Sequence, residues 1–291
     1  MLKRTVTAIL LIGALVGVLL IGYFCKTHIA IDLFIWLLLL IAVREMYFCM
    51  QEAGYKVFRV PLAIAMLATY PVTYLMEEYM GQGYAGIALS IGVSVLSALL
   101  IFTFADPERN QTKDLFATVF VLIYPVFFIS LAWILTSRYA VLFSVLFAVF
   151  LPVGADTFAY WFGSMIGGKK LCPSISPKKT VAGFVGGILG GMVVSVVFFL
   201  VFEMFALIPD SGYVPFTDAV WKSALIYLAI GFIGALAGQL GDLAASRIKR
   251  ALGTKDFGKI FPGHGGVMDR FDSIITGITI LLISLSAIYG A

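Results

Sequence analysis

The stretch from Ser246 to Asp272, SRIKRALGTKDFGKIFPGHGGVMDRFD, is the most informative part of the chain. It combines cations, carboxylates and a Gly-His-Gly-Gly turn, and apolar runs long enough to cross a bilayer flank it on both sides. Concentrated charge at a membrane boundary, with glycines that let the backbone approach a ligand, is typical of a phosphate-binding site. The stretch therefore predicts membrane-spanning helices and a site at the membrane surface.

The composition of the whole chain also indicates an integral membrane protein. Of its 291 residues, 61% are hydrophobic and 12% are charged, whereas about 25% of the residues in a soluble domain are charged. No polar linker interrupts the apolar runs, so residues 1–291 are predicted to form a single membrane domain. Within it, residues 1–139 hold N-terminal transmembrane helices, and residues 140–291 hold the catalytic helices and cytoplasmic loops. Neither a nucleic-acid partner nor a metal-binding cysteine set is expected.

The fold class predicted is all-α, a polytopic helical bundle with about nine transmembrane helices and a cytoplasmic N-terminus. The first apolar run exceeds the core of a secretory signal and is followed by no small-residue cleavage site, so it is predicted to be a retained span. The predicted spans are Thr5–Phe24, Ile29–Val43, Val60–Leu75, Tyr84–Phe104, Leu115–Leu135, Ala140–Phe162, Val181–Ile208, Ala219–Ala245 and Val267–Ala291.

The distribution of cations supports this topology. With the N-terminus inside, the outer segments hold only Lys26, Arg138 and Lys222 of the 20 lysines and arginines. Such a bias is the one that the positive-inside rule describes. The two richest polar loops, Ser164–Thr180 and Arg247–Gly266, then face the cytoplasm, and the protein is predicted to lie in the inner (cell) membrane.

Four carboxylates lie near the predicted cytoplasmic ends of three helices: Asp156, Asp242, Asp269 and Asp272. Ionised groups at membrane depth are costly and are usually functional. Oxygen ligands from several helices suit Mg²⁺, which binds few protein carboxylates and keeps positions for phosphate oxygens. Other roles stay open, since Asp269 could cap its helix and Asp156 could form an ion pair. Asp242 stands at the C-terminal end of its helix, where the macrodipole disfavours an anion, so it needs a cation or a metal nearby.

Two polar loops carry the candidate phosphate ligands. In Ser174–Thr180, hydroxyl and ammonium groups converge just before a helix, whose first N–H groups form an anion site. In the second loop, His264 stands among glycines after Pro262, which indicates a tightly shaped loop. The alternative for such cations is attraction to anionic lipid headgroups.

Glycines recur every three to four residues on two spans, at Gly183, Gly187 and Gly191 and again from Gly231 to Gly241. Such small-residue faces let membrane helices pack closely, and packing is preferred here over contact with a nucleotide.

These residues resemble the CTP:phosphatidate cytidylyltransferases, also called CDP-diacylglycerol synthases. The family signature is matched by Ser246, Lys249, Arg250, Lys255, Asp256, Gly258, Phe261, Pro262, His264, Gly265, Gly266, Asp269, Arg270 and Asp272. Upstream features of the family appear as Asp156–Tyr160, Gly163, Gly167–Lys169, Ser176–Thr180 and Gly241–Asp242. One departure is Ala182, where the family usually has an acidic residue; this puts an unaltered activity in doubt.

The resemblance implies that CTP and phosphatidic acid give CDP-diacylglycerol and pyrophosphate, with Mg²⁺ as cofactor and a second, monovalent or divalent, cation as a further expectation. Asp242 and Asp269 would bind Mg²⁺, supported by Asp156 and Asp272. The nucleotide-binding residues expected are Ser176, Lys178, Lys179, Thr180, Ser246, Lys255, His264, Gly265 and Gly266. The catalytic residues expected are Asp242, Asp269, Asp272, Lys249, Arg250 and Arg270, and Arg247, Lys249, Arg250 and Arg270 would orient the phosphatidate headgroup. Membrane lipids and a second copy of the chain are the expected partners.

Two other classes of membrane protein fit these residues less well. A CDP-alcohol phosphotransferase needs a D-G-x2-A-R pattern, which follows neither Asp242 nor Asp269. A transporter of an anionic substrate would place charges near the midplane of two related halves, whereas these charges gather at one side. A cytidylyltransferase acting on another lipid phosphate, such as an isoprenoid phosphate, stays open.

Overall fold

The computed structural model describes residues 2–105, 110–209, 211–261 and 265–290, with side chains from residue 13 onward. Within these ranges the chain forms nine helical segments and one short hairpin. The helices are α1 (Leu2–Cys25), α2 (Ile29–Glu52), α3 (Arg59–Met80), α4 (Gly83–Phe104), α5 (Thr112–Arg138), α6 (Val141–Met165), α7 (Val181–Met204), α8 (Val220–Ala251) and α9 (Met268–Tyr289). The hairpin strands, between α6 and α7, are β1 (Lys170–Cys172) and β2 (Ser176–Thr180).

The helical, polytopic fold class is confirmed. Seven helices, α3 to α9, are long and apolar enough by length and composition to cross a membrane, among the residues that the structure describes. Each predicted span coincides with a helix. Several helices, among them α2, α3 and α8, extend beyond the predicted boundary because their polar last turns continue the backbone pattern, whereas α7 ends four residues before it. The count of nine spans and the side of the N-terminus stay predictions.

The chain divides into two compact units. The first contains the residues up to Ser137 together with Ala251–Arg270, and the second contains Arg138–Arg250 together with the residues from Phe271 onward. This division does not test whether the whole chain is one membrane domain, and that stays a prediction.

In the first unit α5 is the most buried of the candidate spans. A π-helical turn, Leu122–Phe127, interrupts it at Pro125, which has no N–H to donate to the helix. On one side of this turn, Thr118 accepts a hydrogen bond from the N–H of Phe58 at 3.0 Å. On the other side, the Trp133 indole N–H donates to the carbonyl of Asp32 at 3.1 Å. Polar contacts before and after the π turn thus tie α5 to the start of α2 and to the residue that precedes α3.

In the second unit the glycine faces pack helices together, as predicted. A Cβ atom at Gly187 would lie 2.8 Å from the Gln239 amide, and one at Gly191 would collide with Ala235 on α8. A Cβ atom at Gly190 would lie 2.6 Å from the Phe158 Cβ on α6. Both α6 and α8 therefore approach α7 more closely than larger side chains would permit.

The hairpin is a feature that the all-α prediction missed. Its strands are antiparallel, with Lys170 opposite Thr180 and Cys172 opposite Ser176. Strand β2 leads directly into α7, and the Thr180 hydroxyl accepts a hydrogen bond from the N–H of Gly183 at 3.0 Å. This is an N-cap, so the same residue ends the strand and starts the helix.

Candidate functional site

Asp242 lies in the last part of α8, where the helix dipole opposes a negative charge. The structure supplies the cation that the sequence required, because the Lys179 ammonium of β2 forms an ion pair with the Asp242 carboxylate. Both side chains are about three-quarters buried, at 29% and 26% exposure. The hairpin therefore brings a lysine to the end of α8 that is predicted to face the cytoplasm.

Asp272 and Lys249 form a second ion pair in the same unit. The Lys249 nitrogen donates to Asp272 Oδ2 at 3.2 Å, and the two side chains are only 11% and 10% exposed. The N–H of Ser273 donates to the other carboxylate oxygen at 2.9 Å. Asp242 is close enough to Asp272 for the two charges to repel each other. Lys179, Asp242, Lys249 and Asp272 thus form one four-charge cluster, named below the Asp–Lys cluster.

The other predicted residues of the second unit differ in exposure. Lys178, Asp156 and Arg250 are exposed, whereas Ser176 and Ser246 are half-buried. Lys249, in contrast, is buried in its ion pair with Asp272. Its expected contact with a lipid headgroup therefore requires that this ion pair opens. The assignments of these residues to nucleotide or lipid stay predictions.

Asp269 organises the loop that precedes α9. Its Oδ2 atom accepts hydrogen bonds from the backbone N–H groups of Phe257 and Gly266, both at 2.9 Å, and from that of Gly258 at 3.3 Å. Gly265 has a φ of +81°, a conformation that side chains disfavour, and a Cβ atom there would lie 2.8 Å from the Asp269 carboxylate. The Asp269 carboxylate therefore closes the loop onto the start of α9, a role close to the capping alternative weighed above. Its predicted role as a metal ligand is untested.

The remaining predicted loop residues are less informative. Lys255 is exposed, and Arg270 is exposed on the first turn of α9. His264, together with Pro262 and Gly263, lies outside the described residues, so its predicted contact with phosphate stays a prediction.

Glu45 contacts this loop, and the sequence did not indicate it. It lies on α2, is 5% exposed, and its Oε2 atom accepts the N–H of Met268 at 2.9 Å. A Cβ atom at Gly258 or Gly266 would collide with its carboxylate. The two glycines therefore leave space for the Glu45 carboxylate, which packs against the loop and accepts its hydrogen bond from Met268. Its place beyond the predicted end of the second span, far from the signature in sequence, gave no signal of this contact.

The metal prediction involved four carboxylates. Across the described residues, no group of three or more His, Cys, Asp and Glu side chains is spaced to hold a metal ion. What the second unit does contain is the pair Asp242 and Asp272 within the Asp–Lys cluster. A shared site for all four carboxylates stays a prediction.

These features define a class: a polytopic helical membrane protein whose polar loops and helix ends carry paired lysines and aspartates. Comparison with known proteins defines the family. The model described as "Cytidylyltransferase family" matches residues 2–288, and the chain belongs to that family. It is 31% identical over 282 residues to the phosphatidate cytidylyltransferase of Staphylococcus haemolyticus, covering 97% of this chain and 98% of that protein. The proteins of that name from Staphylococcus saprophyticus and Staphylococcus aureus are each 32% identical, over 282 and 286 residues and with the same coverage.

Proposed function

We propose that this protein is a phosphatidate cytidylyltransferase, which transfers CMP from CTP to phosphatidic acid and releases pyrophosphate. The family match and the named relatives, aligned over nearly the whole of both chains, support this reaction. The observation that carries it structurally is the Asp–Lys cluster, where two lysines and two aspartates lie within one compact unit.

The main obstacle in this reaction is charge repulsion. An oxygen of the phosphatidate phosphate attacks the α-phosphorus of CTP, a new P–O bond forms, and the bond to the bridging oxygen of pyrophosphate breaks. Since the attacking phosphate is already ionised, no side chain has to remove a proton from it. The protein must instead neutralise and align the anionic groups, which is the main contribution of proteins to phosphoryl transfer.

The lysines of the second unit suit that task. The Lys178 side chain is exposed beside the paired Lys179 on β2, and the strand ends at the N-terminus of α7. A helix start offers free N–H groups to an anion. We assign Ser176, Lys178, Lys179 and Thr180 to the triphosphate, and the exposed Arg247, Arg250 and Arg270 to the phosphatidate headgroup.

The donor set also fits Mg²⁺. Asp242 and Asp272 are carboxylates whose charges interact, and Mg²⁺ takes one or two carboxylates and fills its other positions with water and phosphate oxygens. When bound, the ion would polarise the phosphoryl oxygens and offset their charge. Lys179 and Lys249 now offset the charge of these carboxylates, and each could turn to an incoming phosphate. Asp156 and Asp269 complete the proposed ligand set.

The site is proposed to face the cytoplasm from the inner membrane, where CTP is available and the acyl chains of the lipid stay in the bilayer. A homodimer is part of the proposal because the family resemblance implies it. The substrate could also be another lipid phosphate, since the charges described here recognise a phosphate and say nothing of the chain behind it.

The test uses the purified protein in detergent with phosphatidate, an isoprenoid phosphate and labelled CTP, with products identified by mass spectrometry. CDP-diacylglycerol should form, should require Mg²⁺, and should be lost in Asp242→Asn and Asp269→Asn. Asp218→Asn, an exposed residue in the segment before α8, is the matched control. Full turnover by both site variants would refute the metal assignment, and product from the isoprenoid phosphate alone would refute the substrate.

A further inference from the structure

A second polar site lies in the first unit, at the other end of α2 from Glu45 and the signature loop. A cavity of about 170 Å³ opens between the start of α2, the last turns of α3 and the end of α5. Asp32, in the first turn of α2, lines it. Along a helix that rises 1.5 Å per residue, Asp32 is about 20 Å from Glu45. The cavity is thus separate from the loop that Glu45 supports.

Three carboxylates, those of Asp32, Glu77 and Glu78, line the cavity, and its lining among the described residues holds no lysine or arginine. Asp32 is 2% exposed, and its Oδ1 atom accepts the Thr136 hydroxyl at 2.6 Å. Its Oδ2 atom has the His28 imidazole at 3.7 Å, which is beyond hydrogen-bonding distance. A cation bound beside this carboxylate would offset the cost of burying its charge.

Aromatic rings form much of the rest of the lining. The ring centroids of Tyr70 and Trp133 are 5.1 Å apart, those of Tyr70 and Tyr74 are 6.1 Å apart, and His28 continues the row at 6.4 Å from Tyr74. All four rings line the cavity. Aromatic faces attract cations, and carboxylates combined with such faces are the usual recognition elements for organic ammonium groups.

One buried polar group in the lining lacks a partner. The Thr73 side chain is 2% exposed, and its hydroxyl oxygen makes no hydrogen bond within the part of the chain that the structure describes. Such groups in native proteins are nearly always satisfied. Because the hydroxyl can accept as well as donate, it suits a ligand that carries N–H donors.

We propose that this cavity binds a small organic ammonium cation, held by the Asp32 carboxylate and the aromatic faces and accepted by the Thr73 hydroxyl. The volume and the rings favour an ammonium group over a bare metal ion, and no metal-type cluster occurs among the described residues. The ammonium could belong to a soluble amine or to the headgroup of an aminophospholipid. In the predicted topology the cavity faces away from the cytoplasm.

Calorimetric titration of the purified full-length protein with ethylammonium chloride, at constant ionic strength against sodium chloride, tests the proposal. Saturable binding is expected for ethylammonium, with none for tetrabutylammonium, which is too bulky for the cavity. Asp32→Asn keeps the shape and the acceptor for Thr136 and should weaken binding at least tenfold, and Tyr74→Leu should weaken it about tenfold. Glu52→Gln, an exposed carboxylate at the far end of α2, is the matched control and should bind as before.

A second experiment, with lipids, distinguishes a soluble amine from a lipid headgroup as the source of the ammonium group. Native mass spectrometry of protein taken from bilayers of phosphatidylethanolamine and phosphatidylglycerol should show selective retention of phosphatidylethanolamine, lost in Asp32→Asn, if a headgroup is the ligand. Ethylammonium binding with no such retention assigns the site to a soluble amine. Should Asp32→Asn fail to fold, Thr73→Val and Glu78→Gln replace it. Equal affinity in the wild type and the cavity variants, binding of tetrabutylammonium, or no ammonium binding at all would overturn the proposal.

Discussion

Replacing Glu45 by alanine should loosen the signature loop without touching any residue of the signature itself. Glu45 is 5% exposed and accepts the N–H of Met268, which is itself fully buried. In the alanine variant that N–H has lost its acceptor, and the space beside Gly258 and Gly266 is no longer filled. The loop should therefore open more often, although its sequence is unchanged.

The size of the effect follows from two opposing contributions. A hydrogen bond to a charged group contributes about 1.5–3 kcal/mol. Burial of the carboxylate acts against this, because its Oε1 atom has no hydrogen-bond partner among the described residues. We therefore expect a net cost of about 2 kcal/mol, which raises the open population of the loop roughly thirtyfold. Glu45→Gln keeps the shape and an acceptor and should cost less than about 1 kcal/mol.

Hydrogen exchange measured by mass spectrometry on the segment that contains Gly266 and Met268 reports this opening directly. Glu45→Ala should exchange there roughly thirtyfold faster than the wild type, and the KM for CTP should rise with it. Glu52→Ala, at the exposed end of the same helix, serves as the control. If both variants exchange at the same rate, Glu45 does not hold the loop, and the geometric argument fails.

Three further changes test the second unit. Lys249→Met leaves the Asp272 carboxylate buried without its lysine and should lower the free energy of unfolding in detergent by about 3–5 kcal/mol. The double variant Lys249→Met with Asp272→Leu should recover most of this stability. If the single variant is as stable as the wild type, the two residues are not a stabilising pair. Gly191→Leu should cost about 3 kcal/mol or more and reduce the yield of folded protein, while Gly92→Leu, where a Cβ atom meets nothing within 4 Å, should not. Thr180→Ala removes the cap of α7 and should lower the free energy of unfolding by about 1 kcal/mol, and Thr180→Ser should restore it; equal stability of the two would argue against the cap.

The spans were readable from sequence because membrane helices must satisfy their backbone hydrogen bonds internally, so that each one is a long apolar run. The glycine faces were readable for a similar reason, since close packing of helices needs small residues at helical spacing. The cation partner of Asp242 was predictable as well, because a carboxylate at the C-terminal end of a helix needs a positive charge nearby, and Lys179 provides it.

Contacts between distant segments could not be predicted in this way. Glu45 lies more than two hundred residues before Met268, and nothing in its own neighbourhood marks it. The hairpin was missed because its strands are too short and too polar to show an alternating pattern. The pairing of Lys249 with Asp272, rather than with a ligand, depends on the burial of both side chains, and burial at a helix end is not visible in composition.

The π turn in α5 adds one residue to that helix, and each residue of an α-helix turns the chain by about 100°. Asp114 and Thr118 before the turn bind the segment that follows α2, and Trp133 and Thr136 after it bind Asp32 near the beginning of α2. Deleting any single residue between Leu122 and Phe127 would give a more regular helix, but one half would then be rotated out of phase with the other. Only one set of contacts could form at a time. The irregular turn thus keeps both sets of contacts in register, and a regular helix would lose one of them.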